Sequence, residues 1–283
     1  MRVSEALREA TRRLTPDSDT ARLDAEWLMA HALGISRSAM LLSAADRDAP
    51  ANFDGLVERR ARGEPLAYIC ETQDFYGRCF RVSPAVLIPR SDSESVVEAA
   101  LDHAPNQGRI LDCGVGSGAL LLTMLAEKPQ LNGIGIDRSG QALEIAAGNA
   151  KALNLAQRVQ LEQRDWTKPG WQSDLGQFDC IIANPPYVEI GAQLDASVRD
   201  FEPAGALFAG PDGLDDYRCL IPQLPDMLTA NGVVILEIGA SQAAEVSKIA
   251  EQTGFATKVC HDLAGRSRAL ILRFPLGKSD ASV

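Results

Sequence analysis

The sequence contains no apolar run approaching the roughly 18 residues of a membrane helix, so no membrane span is expected. Its opening, MRVSEALREATRRL, carries charges throughout and has no apolar core, unlike a secretory signal. Both absences point to the cytoplasm. Cys70, Cys79, Cys113, Cys180, Cys219 and Cys260 form no C-x-x-C pair, and His31, His103 and His261 lie far apart. That pattern predicts buried free thiols in a reducing compartment and no metal site. There is no internal repeat and no low-complexity segment. Lysine is missing from residues 1–90, where 13 arginines balance 13 acidic residues; the remaining 15 basic and 25 acidic residues carry the whole net charge of −10. An acidic C-terminal part argues against direct gripping of a nucleic-acid backbone.

What is present divides into segments. Residues 1–64 read as helices. SEALREATRRL puts Ala6, Leu7, Ala10 and Leu14 on one face, and TARLDAEWLMAHALG puts Leu23, Trp27, Leu28 and Leu33 near one face before stopping at Gly34. ANFDGLVERRARG predicts a third helix ending at Gly63. Strand-like residues around Tyr76-Gly77 predict a small β-hairpin. Ser91 followed by Glu94 fits a capping box opening a helix near Asp92. From Arg109, strands expected at 109–113, 132–136, 158–162, 178–183, 232–237, 255–260 and 268–274 alternate with helices, the last two strands forming an antiparallel edge pair. The pattern implies α/β architecture with a seven-stranded, mostly parallel sheet. The expected domains are 1–72 (helical, substrate-docking), 73–90 (hairpin linker) and 91–283.

RILDCGVGSGALLLTMLA is strand, glycine loop, helix. Glycines permit tight turning and close backbone approach, and the following helix offers free N–H groups. NGIGID ends a second strand at Asp137, where a carboxylate can accept both ribose hydroxyls of a nucleoside. Asp112-x-Gly114-x-Gly116-x-Gly118 together with Asp137 resembles the class I S-adenosylmethionine-dependent methyltransferases, with their Rossmann-like sheet. The resemblance implies that Asp112, Gly114, Val115, Gly116, Ser117, Gly118 and Asp137 bind the cofactor. It also implies that Asp165 or its backbone meets the adenine amino group and that Trp166 packs on the ring, although a tryptophan after a strand is also an ordinary core residue.

FDCIIANPPYVE begins as a buried strand and ends on Asn184-Pro185-Pro186-Tyr187. Proline holds the preceding residue extended, and neither proline has an N–H to donate. The Asn184 side chain and the Pro185 carbonyl are therefore two fixed acceptors, suited to the two hydrogens of an –NH₂ group, and Tyr187 can stack on the flat group that carries it. Methyl transfer to such a nitrogen needs alignment and electrostatic preorganisation rather than a strong base. Asn184, Pro185 and Tyr187 are the expected catalytic residues; Asn184, Pro185, Pro186 and Tyr187 are the expected substrate contacts, with Asn184 also near the cofactor. A carboxamide and an exocyclic base amine both fit.

The chain at large narrows this choice. ARLDAEWLMAHALG, GEPLAYI, VLIPRSDSE, ILDCGVGSGALLLTML, NPPYVE, VRDFEPAGALFAGPDGLDDYRCL, ILEIGASQ and DLAGRSRALIL together resemble the HemK/PrmC family of release factor N5-glutamine methyltransferases, from about residue 3 to 274. The resemblance implies methylation of the glutamine in the Gly-Gly-Gln tip of class I peptide chain release factors, using S-adenosylmethionine and releasing S-adenosylhomocysteine; separately, a monomer is expected. Arg90 is followed by Ser91-Asp92-Ser93-Glu94 where the family usually has Pro-Glu-Thr-Glu or Pro-Asp-Thr-Glu; the relatives acting on ribosomal protein L3 often have serine there. DNA adenine N6-methylation is a further alternative, disfavoured by the charge balance. Residues 1–64 would dock the protein substrate or simply cap the catalytic domain. Glu202 and Asp216 are expected to be structural or substrate-positioning.

Overall fold

The computed structural model describes residues 1–16 and 18–275; Asp17 and residues 276–283 of the expected 91–283 domain lie outside the described residues. The chain divides into two compact units, one of Met1–Thr72 with Val82–Pro84 and Leu194–Glu202, the other of Gln73–Arg81, Ala85–Gln193 and Pro203–Val283.

The smaller unit is built on the helices Val3–Leu14, Ala21–Leu33, Arg37–Ser43, Phe53–Ala61 and Leu66–Cys70. Val3, Ala6, Leu7, Ala10 and Leu14 are buried, as the 3.6-residue spacing of the first helix requires. The second helix differs from the sequence expectation. Leu28 is buried, but Leu23 and Trp27 are about 40% exposed. The inward face is instead Ala21, Ala25, Leu28 and Met29, accompanied by buried Asp24 and Glu26. Charge pairing makes this possible: Asp24 accepts from Arg60 at 2.8 Å, and Glu26 accepts from Arg22 at 2.5 Å and Arg37 at 2.8 Å. Truncating Leu28 or Met29, both wholly buried, would cost about 2–5 kcal/mol.

In the larger unit, apart from Thr72 at its start, β1 (Thr72–Phe75) and β2 (Arg78–Arg81) form a two-stranded sheet. Tyr76 and Gly77 both have positive φ, 49° and 69°, the condition for the tight turn whose twist matches a hairpin. Phe75 and Phe80 pack edge to face and join the core of this unit. The capping box expected at Ser91 does not form. Ser91–Ser93 is a 3₁₀ turn, the helix runs Glu94–His103, and the Glu94 carboxylate accepts instead from the Tyr76 backbone N–H at 2.9 Å. The hairpin outcompetes the local cap.

The main sheet comprises β3 (Gln107–Cys113), β4 (Gln130–Asp137), β5 (Val159–Gln163), β6 (Phe178–Ala183), β7 (Leu228–Glu237), β8 (Ala256–His261) and β9 (Ser267–Arg273). Their spatial order is β5-β4-β3-β6-β7-β9-β8, all parallel except β9, which runs antiparallel to both neighbours. Side chains alternate between two cores. Ile110, Cys180, Ile182, Val233 and Ile235 face the helices Glu94–His103, Ala119–Glu127 and Gly140–Ala152. Leu111, Cys113, Ile181, Ala183, Val234 and Leu236 face Tyr217, Leu220, Val246 and Trp171. Burial on both faces explains why these strands read as unbroken apolar runs. Of the six cysteines expected to be buried, only Cys113 and Cys180 are, and Cys79 is exposed.

Candidate active site

The strand order reverses between β3 and β6, and in open α/β sheets the crevice beyond the carboxyl ends at such a point receives ligands. Register aligns the features there. Ile136, Cys113, Ala183 and Leu236 pair in one row across β4, β3, β6 and β7. The next residue on each strand is Asp137, Gly114, Asn184 and Glu237.

The glycine loop leaves β3 with Gly114, Gly116 and Gly118 at φ of 84°, 52° and 84°, a conformation other residues adopt only with strain. The Gly114 and Val115 N–H groups donate to the Ile136 carbonyl at 2.9 and 2.8 Å. Val115 packs so closely on Gly135 that a Cβ there would lie 2.7 Å from it. Asp137 fastens the other side: Oδ2 accepts from Gly116 N–H at 3.0 Å and Oδ1 from Ser139 N–H at 2.9 Å. Buried Ser117 offers its carbonyl to Asn149 at 2.8 Å. Asp112 is 1% exposed; burial pushes its carboxyl up to about 8 against a hydrogen bond from the Leu121 N–H, and Oδ1 has no partner.

After β5, burial of Asp165 works against its charged form, but the Thr167 hydroxyl and N–H, at 2.7 and 2.9 Å, prevail and hold its pKa below the ordinary range. The Trp166 ring lies against the glycine loop, 3.2 Å from where a Gly114 Cβ would stand, and its indole N–H donates to Asp216 at 3.0 Å. Burial raises the Asp216 pKa.

Beyond β6, Asn184 and Tyr187 are half-buried while Pro185 and Pro186 are buried. Both X-Pro bonds are trans. Among the described residues, neither the Asn184 side-chain amide nor the Pro185 carbonyl has a hydrogen-bond partner, so both acceptors remain available. The following segment is braced by 207–210: Val188 donates to Leu207, Ala209 to Val188 and Ile190 to Gly210, at 2.8–2.9 Å. Tyr187 donates its hydroxyl to Glu237 Oε1 at 3.3 Å, and desolvation raises its pKa well above the usual phenol value. Burial pushes Glu237 up to about 7.

Comparison with known proteins shows the family of the chain. Residues 5–70 match the model of the PrmC N-terminal domain, and residues 93–207 match the methyltransferase small domain. The release factor glutamine methyltransferase of Geobacter sulfurreducens is 40% identical over 248 residues, 84% of each chain. That of Cereibacter sphaeroides is 39% identical over 282 residues, covering 97% of this chain and 99% of the relative. The chain belongs to the release factor glutamine methyltransferase family. Its larger fold is shared with a methyltransferase from Pyrococcus furiosus, at a TM-score of 0.52 and 17% identity, over 76% of this chain and 95% of that one. Among the described residues, no helix is long and apolar enough to cross a membrane.

Within this family member, three side chains at the site escaped sequence reasoning. Asn149, 2% exposed, donates to the carbonyls of Ser117 and Arg81 and accepts from the Arg81 N–H. Its signal is a lone amide in the apolar helix AAGNAKA. Glu237 is a carboxylate ending a buried strand. Gln242 is an ordinary residue in sequence, and only the fold brings its amide to Tyr187.

Proposed function

We propose that this protein transfers a methyl group from S-adenosylmethionine to the N5 nitrogen of the glutamine in the Gly-Gly-Gln tip of class I peptide chain release factors. The observation that carries the reading is the unpartnered acceptor pair of Asn184 and Pro185, aligned by register with the glycine loop at the point where strand order reverses. Membership of the family supports the substrate class.

The residues fit the donor. A Cβ on Gly116 would meet no neighbour nearer than 3.9 Å, so the loop backbone is bare where a ligand would lie. Each Asp137 oxygen holds one backbone N–H and keeps a lone pair for a ribose hydroxyl. Asp112 adds a buried carboxyl with an unpartnered oxygen. In this reading Gly114, Val115, Gly116, Ser117 and Gly118 cradle the donor's methionine part, and Asp165 and Trp166 bound the adenine pocket. When bound, the donor supplies an electrophilic methyl group on a positively charged sulfur.

Asn184 Oδ1 and the Pro185 carbonyl accept the two N–H bonds of the glutamine carboxamide, and Pro186 and Tyr187 confine its plane. An amide nitrogen is a poor nucleophile, so alignment supplies most of the acceleration. Hydrogen bonds to the two oxygens strengthen as the nitrogen becomes positive, which favours the transition state over the ground state. After the methyl arrives, the cationic nitrogen releases one of its two protons to solvent, with no side-chain base required. Residues 1–72 act as the substrate-docking domain, 73–90 as the linker and 91–283 as the catalytic domain. The enzyme works as a cytoplasmic monomer, without a metal and without direct nucleic-acid contact.

The test is incubation with labelled S-adenosylmethionine and either a release factor, its variant with alanine for the tip glutamine, ribosomal protein L3, or DNA. Label is expected on the intact release factor alone, at the tip glutamine by mass spectrometry. Label on DNA or L3 but not on release factor overturns the reading.

A further inference from the structure

Tyr187 is held at both ends by one short segment of chain. Its hydroxyl donates to Glu237 Oε1 at 3.3 Å, and its backbone carbonyl accepts from Gln242 Nε2 at 3.0 Å. Gln242 has no bonding capacity to spare on its nitrogen. Nε2 also donates to the Gly213 carbonyl at 3.2 Å, while Oε1 accepts from the Gly239 N–H at 3.1 Å. The space is closed around this clamp. Gly213 has φ of 70°, and a Cβ there would stand 2.3 Å from the Tyr187 carbonyl oxygen and 2.7 Å from Gln242 Nε2.

Glu237 is equally constrained. It is 1% exposed, Ser93 hydrogen-bonds its side chain, the Tyr217 hydroxyl donates to its backbone carbonyl at 2.8 Å, and Oε2 has no partner. A buried carboxyl with one oxygen unpaired is costly, and an apolar residue ending β7 would serve the fold better. By register Glu237 ends the strand beside the one that carries Asn184.

We propose that Glu237 and Gln242 are the positioning residues that set the ring and backbone pose of Tyr187, and through it the alignment of the acceptor amide on Asn184 and Pro185. The proposal rests on the function given above. Neither residue is asked to touch the reacting atoms. Gln242 fixes where the chain leaves Pro186, and Glu237 fixes the far end of the ring. Glutamine suits the first role because its amide donates twice and accepts once. A glutamate at 242 would turn a second oxygen toward two carbonyls.

The test compares Q242A, Q242E, E237Q, E237A and Y187F in the full chain. Misplacement by about 1 Å costs up to about 100-fold in rate, so Q242A is expected to lower kcat about 10-fold and Q242E further. S-adenosylhomocysteine affinity by calorimetry should stay within about twofold, because the clamp lies outside the donor loop. E237Q keeps an acceptor oxygen and should retain most of kcat, whereas E237A should fall to the level of Y187F. The E237A/Y187F double variant should be no slower than either single one, since both remove the same bond. Hydrogen exchange of the segment 184–190 is measured in parallel and should quicken in Q242A while β3 and β4 stay protected. Unchanged exchange in Q242A, or an unchanged kcat with the methylation established, overturns the proposal. The exchange arm needs no substrate. An enzyme that leaves release factor unmodified yet shows the exchange change refutes only the functional reading.

Discussion

Trp166 donates its indole N–H to Asp216, fifty positions along the chain, and lays its ring over Gly114. One bond thus joins the loop after β5 to the short helix Asp215–Leu220, and both to the glycine loop. A Cβ on Gly114 would stand 3.2 Å from that ring, tight enough that the ring must give by a few tenths of an ångström, and its φ of 84° disfavours a side chain in any case. Gly114→Ala should destabilise the protein by about 1–3 kcal/mol. In a Trp166→Ala background the steric part is relieved and only the backbone part remains. Urea unfolding of the four-member cycle measures the difference; equal costs in both backgrounds would show that the ring does not crowd the loop.

Asp137 spends one lone pair of each oxygen on a backbone N–H. Asp137→Ala frees the Gly116 and Ser139 N–H groups and removes the acceptor assigned to the ribose. Calorimetric titration with S-adenosylhomocysteine should show affinity at least about 10-fold weaker, two charged hydrogen bonds being worth about 1.5–3 kcal/mol each. Retained affinity would remove Asp137 from the donor site.

Asn184→Ala deletes an acceptor that has no structural partner, so stability should be nearly unchanged. The rate of glutamine methylation should drop about 100-fold or more, the scale seen when one preorganised transition-state contact is removed. Single-turnover kinetics with release factor read this directly, and a normal rate would sink the proposed mechanism.

Burial raises the folded pKa of Asp112 to about 8, above its ordinary 3.8, and that of Glu237 to about 7, above 4.5. A raised acid pKa means the folded state binds the proton more tightly than the unfolded chain. Stability from these groups is therefore complete below about pH 4 and is lost as pH rises through 7 and 8. Asp112→Asn removes its share of that slope. Between pH 5 and pH 8 the melting temperature of the variant, without donor, should fall less than that of the parent. A parallel decline in both would show that Asp112 titrates normally.

Asn149→Leu leaves the Ser117 and Arg81 carbonyls and the Arg81 N–H without their side-chain partner. The expected cost is about 2–4 kcal/mol, from unsatisfied buried groups. The urea midpoint measures it, and donor affinity should fall in the same variant because Ser117 belongs to the loop. A midpoint at the parent value would show that water replaces all three bonds.

Much of the larger unit could be read from the chain. The expected strands at 109–113 and 178–183 are observed at Gln107–Cys113 and Phe178–Ala183, because a parallel strand covered on both faces must be apolar throughout. The helix Ala21–Leu33 was harder. Leu23 and Trp27 fit an apolar face by spacing, yet buried Asp24 and Glu26 turn the other way toward arginines from elsewhere in the unit. Spacing ranks residues by hydrophobicity and cannot see a distant ion pair. Ser91 and Glu94 likewise satisfied a local rule that Tyr76 overrode.

The sequence by itself determined the chemistry available: a glycine loop, an acidic strand end, and Asn184 before two prolines. These properties are local, set by missing Cβ atoms, missing N–H groups and the restraint proline places on its predecessor. Only the tertiary structure decided what holds them. Trp166 with Asp216, Asn149 with Ser117, and Tyr187 between Glu237 and Gln242 are pairings across 32 to 55 positions of chain. They exist because the fold brings the strand ends and the helices and loops beside them together, and a hydrogen bond forms only where both partners arrive within about 3 Å.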